Sequence, residues 1–343
     1  MGVQITDLLT KKQITLEELR NKTIAVDAPL FLYQFLTTIR QVDGTPLMDS
    51  KGNITSHLTG LFSRSINLIE KGIKLVYVFD GKPPALKEQE REKRKKLKLE
   101  AEKKYKIAVA KKDIEEMKKY AARTTRLTPQ IIKESKELLD ALGIPIIEAP
   151  SEGEAQAAFI VKQGNAFAVA SQDADCLMFG SPRLIRNLSV AGKRKKADKL
   201  AYETIQPELI TLAETLNNLG IDNDQLIALS MLVGTDYNPG GIKGIGPKNA
   251  LKLVKQYGSD FDKLFKEVKW DNYFDKKWTE IYYLIKKIPV TKDYNLKWSE
   301  VDIEKVKKIL IDFHDFSEER VNNTLARLKK TSKEKQQKSL GDF

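Results

Sequence analysis

Cysteine and histidine are almost missing from this chain. Among 343 residues there is one cysteine, Cys176, and there are two histidines. A single cysteine excludes an intrachain disulfide framework and suits a reducing compartment. One cysteine with two histidines also excludes a self-contained zinc site of the usual ligand sets, so any metal here is held by oxygen. Long apolar runs are missing as well. None approaches the roughly 18 residues that mark a membrane span, and the first residues carry no secretory leader pattern. The expectation is an intracellular, cytoplasmic protein that is not secreted and has no membrane attachment. Acidic residues are in deficit, 47 against 59 Lys and Arg, a formal net charge of +12. That balance points to a polyanionic partner, nucleic acid first.

What is present suits a globular core, with 41% hydrophobic residues. Within it, one stretch organises the chain. Residues 148–179 read EAPSEGEAQAAFIVKQGNAFAVASQDADCLMF. Glu152 and Glu154 open a helix pattern, and Asp173 and Asp175 follow a strand pattern. At ~5 Å and an effective dielectric of about 20, one like-charged pair costs roughly 3 kcal/mol. Such a cluster persists when something offsets it, and a divalent cation is the usual agent.

Short apolar runs end repeatedly on acids. Residues 22–28 (KTIAVDA) and 74–80 (KLVYVFD) read as buried strands ending at Asp27 and Asp80. Three more strands are expected at 144–147, 167–171 and 183–188, with helices between them. Ser56 and Ser151 are the expected N-caps of two of those helices. Strands alternating with helices predict an α/β fold with a mostly parallel central sheet and helices on both faces. Ligands of such sheets bind beyond the carboxyl ends of the strands. Six acids from distant positions (Asp27, Asp80, Glu152, Glu154, Asp173 and Asp175) would then share one rim. At Glu154 a second role stays open, because it also stands three residues after Ser151 at a capping-box position.

Between Lys87 and Lys119 the composition changes to fourteen Lys or Arg and eight acids, with no Gly or Pro. This predicts helices too polar for a core, projecting over or away from the body. From Tyr202 onward the pattern reads as helix. Within it, residues 239–250 (PGGIKGIGPKNA) form a glycine-rich turn between two helices. Close glycines there let backbone N–H groups approach phosphates without reading sequence.

Taken together, VDAP at Asp27, YVFDGKPP at Asp80, APSEGEAQAA at Glu152, SQDADCLMFG at Asp173, GTDYNPGGIKGIGPKNA at Asp236 and FSEER at 316–320 resemble the XPG family of flap endonucleases, in its archaeal form. The resemblance spans nearly the whole chain in the family order. It implies a PIN-like 5′-nuclease core over 1–330, made of an N-terminal region 1–105, an internal region 122–258 and an all-helical C-terminal part 259–330. A helical arch is inserted at 81–130, and a flexible clamp-binding tail follows at 331–343. It adds Asp236 to the acids, making seven carboxylates for two Mg²⁺ ions, with Mn²⁺ as a substitute. It assigns Lys87 and Arg94 to the scissile phosphate and Tyr33 to stacking on a base near the cut.

The same resemblance implies DNA contacts from Gly2, Thr55, Lys243, Gly244, Gly246, Lys248 and Arg320, and a K⁺ ion at the helix-two-turn-helix. Lys297, Trp298 and the 316–320 region, with Thr55, correspond to the part that binds a 3′ flap. Gln337, Leu340 and Phe343 match a sliding-clamp (PCNA) motif whose second aromatic is missing. The activity implied is structure-specific cleavage of 5′-flap DNA in replication and repair, with 5′–3′ exonuclease activity, clamp stimulation and a monomeric enzyme. Two rivals share parts of the pattern: a non-catalytic DNA-binding scaffold, and a ribonuclease of the PIN-like group.

Overall fold

The computed structural model describes residues 2–111, 113–190, 192–195 and 202–340. Among the described residues nine strands appear in chain order: β1 (Lys11–Gln13), β2 (Thr23–Asp27), β3 (Lys74–Phe79), β4 (Ile146–Glu148), β5 (Ala168–Ala170), β6 (Arg183–Arg186), β7 (Gly192–Lys195), β8 (Tyr202–Ile205) and β9 (Glu208–Thr211). Seven of them form one sheet in the order β1-β9-β6-β5-β2-β3-β4, and β7 pairs with β8 in a separate ribbon. The five strands from β6 to β4 are parallel, while β9 runs antiparallel to both β6 and β1. The sheet is therefore mixed but mostly parallel, as expected.

The helices that matter for the site are α1 (Ala28–Thr38), α2 (Ser56–Glu70), α3 (Glu88–Lys111), α4 (Ile114–Arg123), α5 (Pro129–Ala141), α6 (Gly153–Lys162), α7 (Asp175–Met178), α8 (Leu212–Leu219), α9 (Asn223–Val233) and α10 (Pro247–Tyr257). They cover both faces because strand side chains alternate. On β2, Ile24 and Val26 pack into the cluster that holds Phe31, Leu58, Leu61 and Leu138 of α1, α2 and α5. Ala25 faces the other cluster, with Ala157, Ile160 and Leu229 of α6 and α9. Each fully buried Val, Ile or Leu contributes roughly 1.5–3 kcal/mol, so both cores fix the sheet between them.

The chain moves outward from β2 in both directions, through β3 and β4 on one side and β5 and β6 on the other. The strand order thus reverses between β2 and β5. At such a switch point the flanking connections diverge and leave a crevice beyond the strand ends. The charged insert follows β3 on that rim and holds α3 and α4, which pack on each other. Most of α3 is exposed, consistent with its even polarity.

Three sequence expectations change. Tyr202 opens a strand rather than a helical region, and β9 follows before α8 begins. Ser56 is the first residue of α2 and Thr55 its N-cap; the Ser56 hydroxyl instead donates to Ile39 O, tying α2 to the end of α1. The N-cap of α6 is Glu152, not Ser151, and no side chain caps that helix. The last helix runs from Glu318 through Leu340.

Candidate functional site

Local structure and site are made by the same residues. Asp27 ends β2 and caps α1, accepting from Leu30 N at 3.2 Å. Pro29 in the first turn favours the helix start there. Asp80 follows β3 and accepts from Gly153 N at 2.7 Å, so the start of α6 is locked to the end of β3. A Cβ on Gly153 would come within 2.9 Å of that Asp80 carboxylate, which explains the glycine. Asp173 and Asp175 follow β5. Asp175 accepts from Val3 N at 2.6 Å, and a Cβ on Gly2 would stand 2.5 Å from Asp173 Cβ. The N-terminal segment is therefore packed directly against the acids.

Ser171 is the residue that sequence reasoning missed. Its hydroxyl lies 3.1 Å from Asp27 Oδ2 and 3.3 Å from Glu154 Oε1, and it accepts from Asp173 N. It bridges β5 to three of the acids, and its position two before Asp173 was the only signal for it. This contact also settles Glu154, whose carboxylate faces the other acids and does not cap α6.

The structure brings all seven acids into one electrostatic cluster. Burial pushes Asp27 up to about 7, with the charge of Asp80 adding to it. Burial likewise pushes Asp175 up to about 7, opposed by the Val3 N–H and reinforced by Asp173. Glu154 is raised well above the carboxylate range by burial and by Asp175, Asp27 and Asp173. Asp80 and Glu152 are raised mainly by burial, with Gly153 N–H and Lys87 respectively pulling them back.

Two cations answer part of this charge. Lys87 Nζ lies 2.6 Å from Glu152 Oε2 and 3.1 Å from Asp236 Oδ2. Burial pulls Lys87 down, but the two carboxylates outweigh it and hold the ammonium form. Arg94 reaches Asp236 Oδ1 at 2.6 Å and Glu90 Oε1 at 2.9 Å. The seven-residue spacing does bring both cations to the rim. Among the described residues, no three acids yet gather closely enough to hold an ion as they stand. Lys87 fills the space between Glu152 and Asp236 instead.

Tyr33 lies on α1, half-buried, with Lys98 Nζ 5.4 Å from its ring centre. Lys248 is exposed in the first turn of α10, and Lys243, Gly244 and Gly246 are exposed in the turn between α9 and α10. There Gly244 adopts φ +85°, which a residue with a side chain adopts only with strain. Arg320 is exposed on the last helix. Thr55 is buried at the N-cap of α2. Gln337 and Leu340 fall within the last helix, and Phe343 lies outside the described residues.

Comparison with known proteins matches this arrangement. Residues 1–101 match the XPG N-terminal domain and residues 143–236 the XPG I-region. The chain is 56% identical over 340 residues to flap endonuclease 1 of Pyrococcus abyssi, covering 99% of this chain and 97% of that protein. The chain belongs to the flap endonuclease family. Among solved structures, flap endonuclease-1 from Methanococcus jannaschii superposes with a TM-score of 0.76 at 43% identity, covering 97% of this chain and 100% of that one. The catalytic core of Rad2 in complex with a DNA substrate gives 0.69 at 25% identity, covering 96% and 100%. The segment between the two matched family regions, residues 102–142, contains the last ten residues of α3 and all of α4 and α5. In this flap endonuclease the acidic rim is thus carried by the two matched regions, and the projecting helices lie largely between them.

Proposed function

We propose that this chain is a structure-specific nuclease that cuts 5′-flap DNA where the single strand joins the duplex. The observation that carries this reading is the convergence of seven carboxylates with Lys87 and Arg94 on the rim from which the basic α3–α4 insert projects.

The donor set suits a hard divalent cation. Every side chain offers oxygen, which favours Mg²⁺ or Mn²⁺ over softer metals. Glu152 Oε1 is buried without a hydrogen-bond partner, an acceptor awaiting a cation. Asp27, Glu154 and Asp175 are raised first by burial and then by neighbouring carboxylates, and a bound cation would offset both. The proposed ligands of two Mg²⁺ ions are Asp27, Asp80, Glu152, Glu154, Asp173, Asp175 and Asp236. When bound, two such ions supply an activated water and stabilise the leaving oxygen of a phosphodiester.

The chain's own groups do the rest in this reading. Lys87 and Arg94 hold the scissile phosphate and offset charge that grows in the transition state. Ser171 and Gly153 N–H keep the acids aimed. Tyr33 offers a face on which a base near the cut stacks. Exposed N–H groups and lysines of the 243–248 turn grip the duplex backbone, and a K⁺ ion there belongs to the same proposal. The flap's 5′ strand passes beside α3 and α4, whose charge favours the phosphates. 5′–3′ exonuclease action and docking of Gln337, Leu340 and Phe343 on a sliding clamp complete it.

The test is cleavage of a double-flap DNA beside a fully paired duplex and an RNA hairpin, with and without Mg²⁺. Mg²⁺-dependent cutting at the flap junction, weak on duplex and absent on RNA, is expected. Binding without cleavage would favour a scaffold, and preference for the RNA hairpin a ribonuclease.

A further inference from the structure

Asp236 stands in a tight turn that ends on a buried amide. The turn runs from Thr235 to Asn238 and is closed by Asn238 N, which donates to Thr235 O at 3.2 Å. Asp236 occupies its second position and pairs with Lys87 and Arg94. Asn238 is 1% exposed, and Thr235 is buried as well. The Asn238 amide uses both of its ends. Nδ2 donates to Met231 O of α9 at 2.6 Å, while Oδ1 accepts from Thr235 N at 3.2 Å and from the Thr235 hydroxyl at 2.6 Å. That hydroxyl in turn accepts from Tyr237 N at 3.1 Å. The residue before Asp236 and the residue after it are therefore both held through Asn238.

The same residue begins the next turn. Its carbonyl accepts from Gly241 N at 3.2 Å, with Pro239 and Gly240 (φ +92°) at the central positions. Proline followed by a positive-φ glycine is what a type II turn requires. One step further, Ile242 N donates to Leu232 O at 2.9 Å. The last carbonyls of a helix have no partner within it. Here Met231 O and Leu232 O are satisfied from residues 238 and 242, so the end of α9 and the start of the glycine-rich turn share one set of bonds. A Cβ on Gly241 would stand 2.3 Å from Val233 O, and one on Gly234 would stand 2.6 Å from Gly241 N. The two backbones are in contact, and Lys243, Gly244 and Gly246 follow at once on the exposed side.

We propose that Asn238 is a positioning residue: its buried amide aims Asp236 at the acidic rim and fixes where the glycine-rich turn begins, holding the two at a set separation. The carboxylate on the cation side and the turn on the nucleic-acid side then move as one unit. The role given to Asp236 rests on the nuclease reading above, whereas the bracing of the two turns does not.

Asn238→Ala removes the amide without adding charge, and leaves Met231 O and Thr235 N buried without their partner. Such a loss corresponds to a factor of roughly 5–100 in the local opening equilibrium. Hydrogen exchange at the amides of Tyr237 and Gly241 reads the two turns separately, and both should speed up by about that factor. In the DNA-free protein, melting temperature followed against Mg²⁺ gives a midpoint concentration. Asn238→Ala should raise that midpoint roughly tenfold, as loss of a residue supporting a metal ligand does. Thr235→Val deletes the hydroxyl at nearly constant shape and should move Tyr237 exchange and the Mg²⁺ midpoint the same way. Thr235→Ser keeps the hydroxyl and should restore both. Faster exchange with an unchanged Mg²⁺ midpoint would make Asn238 a brace for the end of α9 alone and overturns the proposal. Parent-like exchange at Tyr237 or Gly241 overturns it too, as does equal behaviour of Thr235→Val and Thr235→Ser. If Asn238→Ala does not fold, the Thr235 pair decides the same question. A parent protein that neither gains stability from Mg²⁺ nor cuts flap DNA refutes the nuclease reading, and the exchange comparison then still decides the bracing.

Discussion

Replacing Lys87 with methionine keeps the aliphatic stem and removes only the charge. The ammonium sits between Glu152 and Asp236 at 2.6 and 3.1 Å, and its side chain is 17% exposed. At an effective dielectric of about 20, those contacts are worth roughly 6 and 5 kcal/mol of gross attraction. Desolvation of three charges cancels most of that, and removing one partner of a buried pair costs about 3–5 kcal/mol. The lower end applies here. Arg94 still answers Asp236, whereas Glu152 is left bare, its Oε1 already lacking a partner. Metal-free Lys87→Met should therefore lose about 3 kcal/mol in chemical denaturation. Saturating Mg²⁺ should shrink the loss to below about 1 kcal/mol, because a cation on the same carboxylates replaces the missing charge. Single-turnover cleavage of flap DNA should fall ~10²–10³-fold, the usual cost of one electrostatic contact to a transition state. Equal destabilisation with and without Mg²⁺ would reduce Lys87 to a packing residue. Cleavage at the parent rate would remove it from the chemistry.

Three further outcomes are expected. Since Asp27 and Asp175 are raised to about 7 in the folded protein, the folded form holds more protons than the unfolded between about pH 4 and 7. Their contribution to metal-free stability should fall as pH rises through that window; calorimetry at pH 7 in two buffers should show Mg²⁺ releasing protons, and no release would refute the shared site. Asp175→Ala should bind flap DNA within a few fold of the parent and cut it at least ~10³-fold more slowly, so normal turnover in gel assays would remove Asp175 from the metal ligands. Truncation before Gln337 should abolish stimulation by a sliding clamp while intrinsic cleavage continues, and an unchanged clamp response would discredit the tail motif.

The parallel strands were legible because both of their faces are buried, so they read as short apolar runs bounded by charge. What escaped was the antiparallel edge. Lys11–Gln13 is entirely exposed and carries no apolar signal, and Gly192–Lys195 is a cationic ribbon without alternation. Their partners β8 and β9 were lost with them, because sheet edges are set by pairing more than by pattern. Six of the acids were legible by the strand-end rule. Asp236 was not, because it follows α9 and reads as an ordinary helix-end residue; only the family resemblance supplied it. The contacts that aim the acids were invisible for another reason. Gly153 N–H, Val3 N–H and the Ser171 hydroxyl act through backbone or through a small common side chain, and neither leaves a mark in composition. Capping was misjudged at Ser151 because a rule for isolated helices met a helix start already tied to the end of β3.

The insertion point of α3 and α4 has a consequence for how such proteins diversify. The insert leaves the sheet after β3 and returns at Thr128, whose side chain caps α5 and restarts the ordered body. Six of the seven acids hang from strand ends or helix starts outside it, and the seventh follows α9. Loop-closure entropy grows only slowly with length. Lengthening, shortening or exchanging the projecting helices therefore leaves every acid in place, while Lys87 and Arg94, at the insert's root, travel with the first turns. On the function proposed above, the cutting centre and the part that meets the free strand would be separable modules, and substrate preference could drift by changes to one without rebuilding the other.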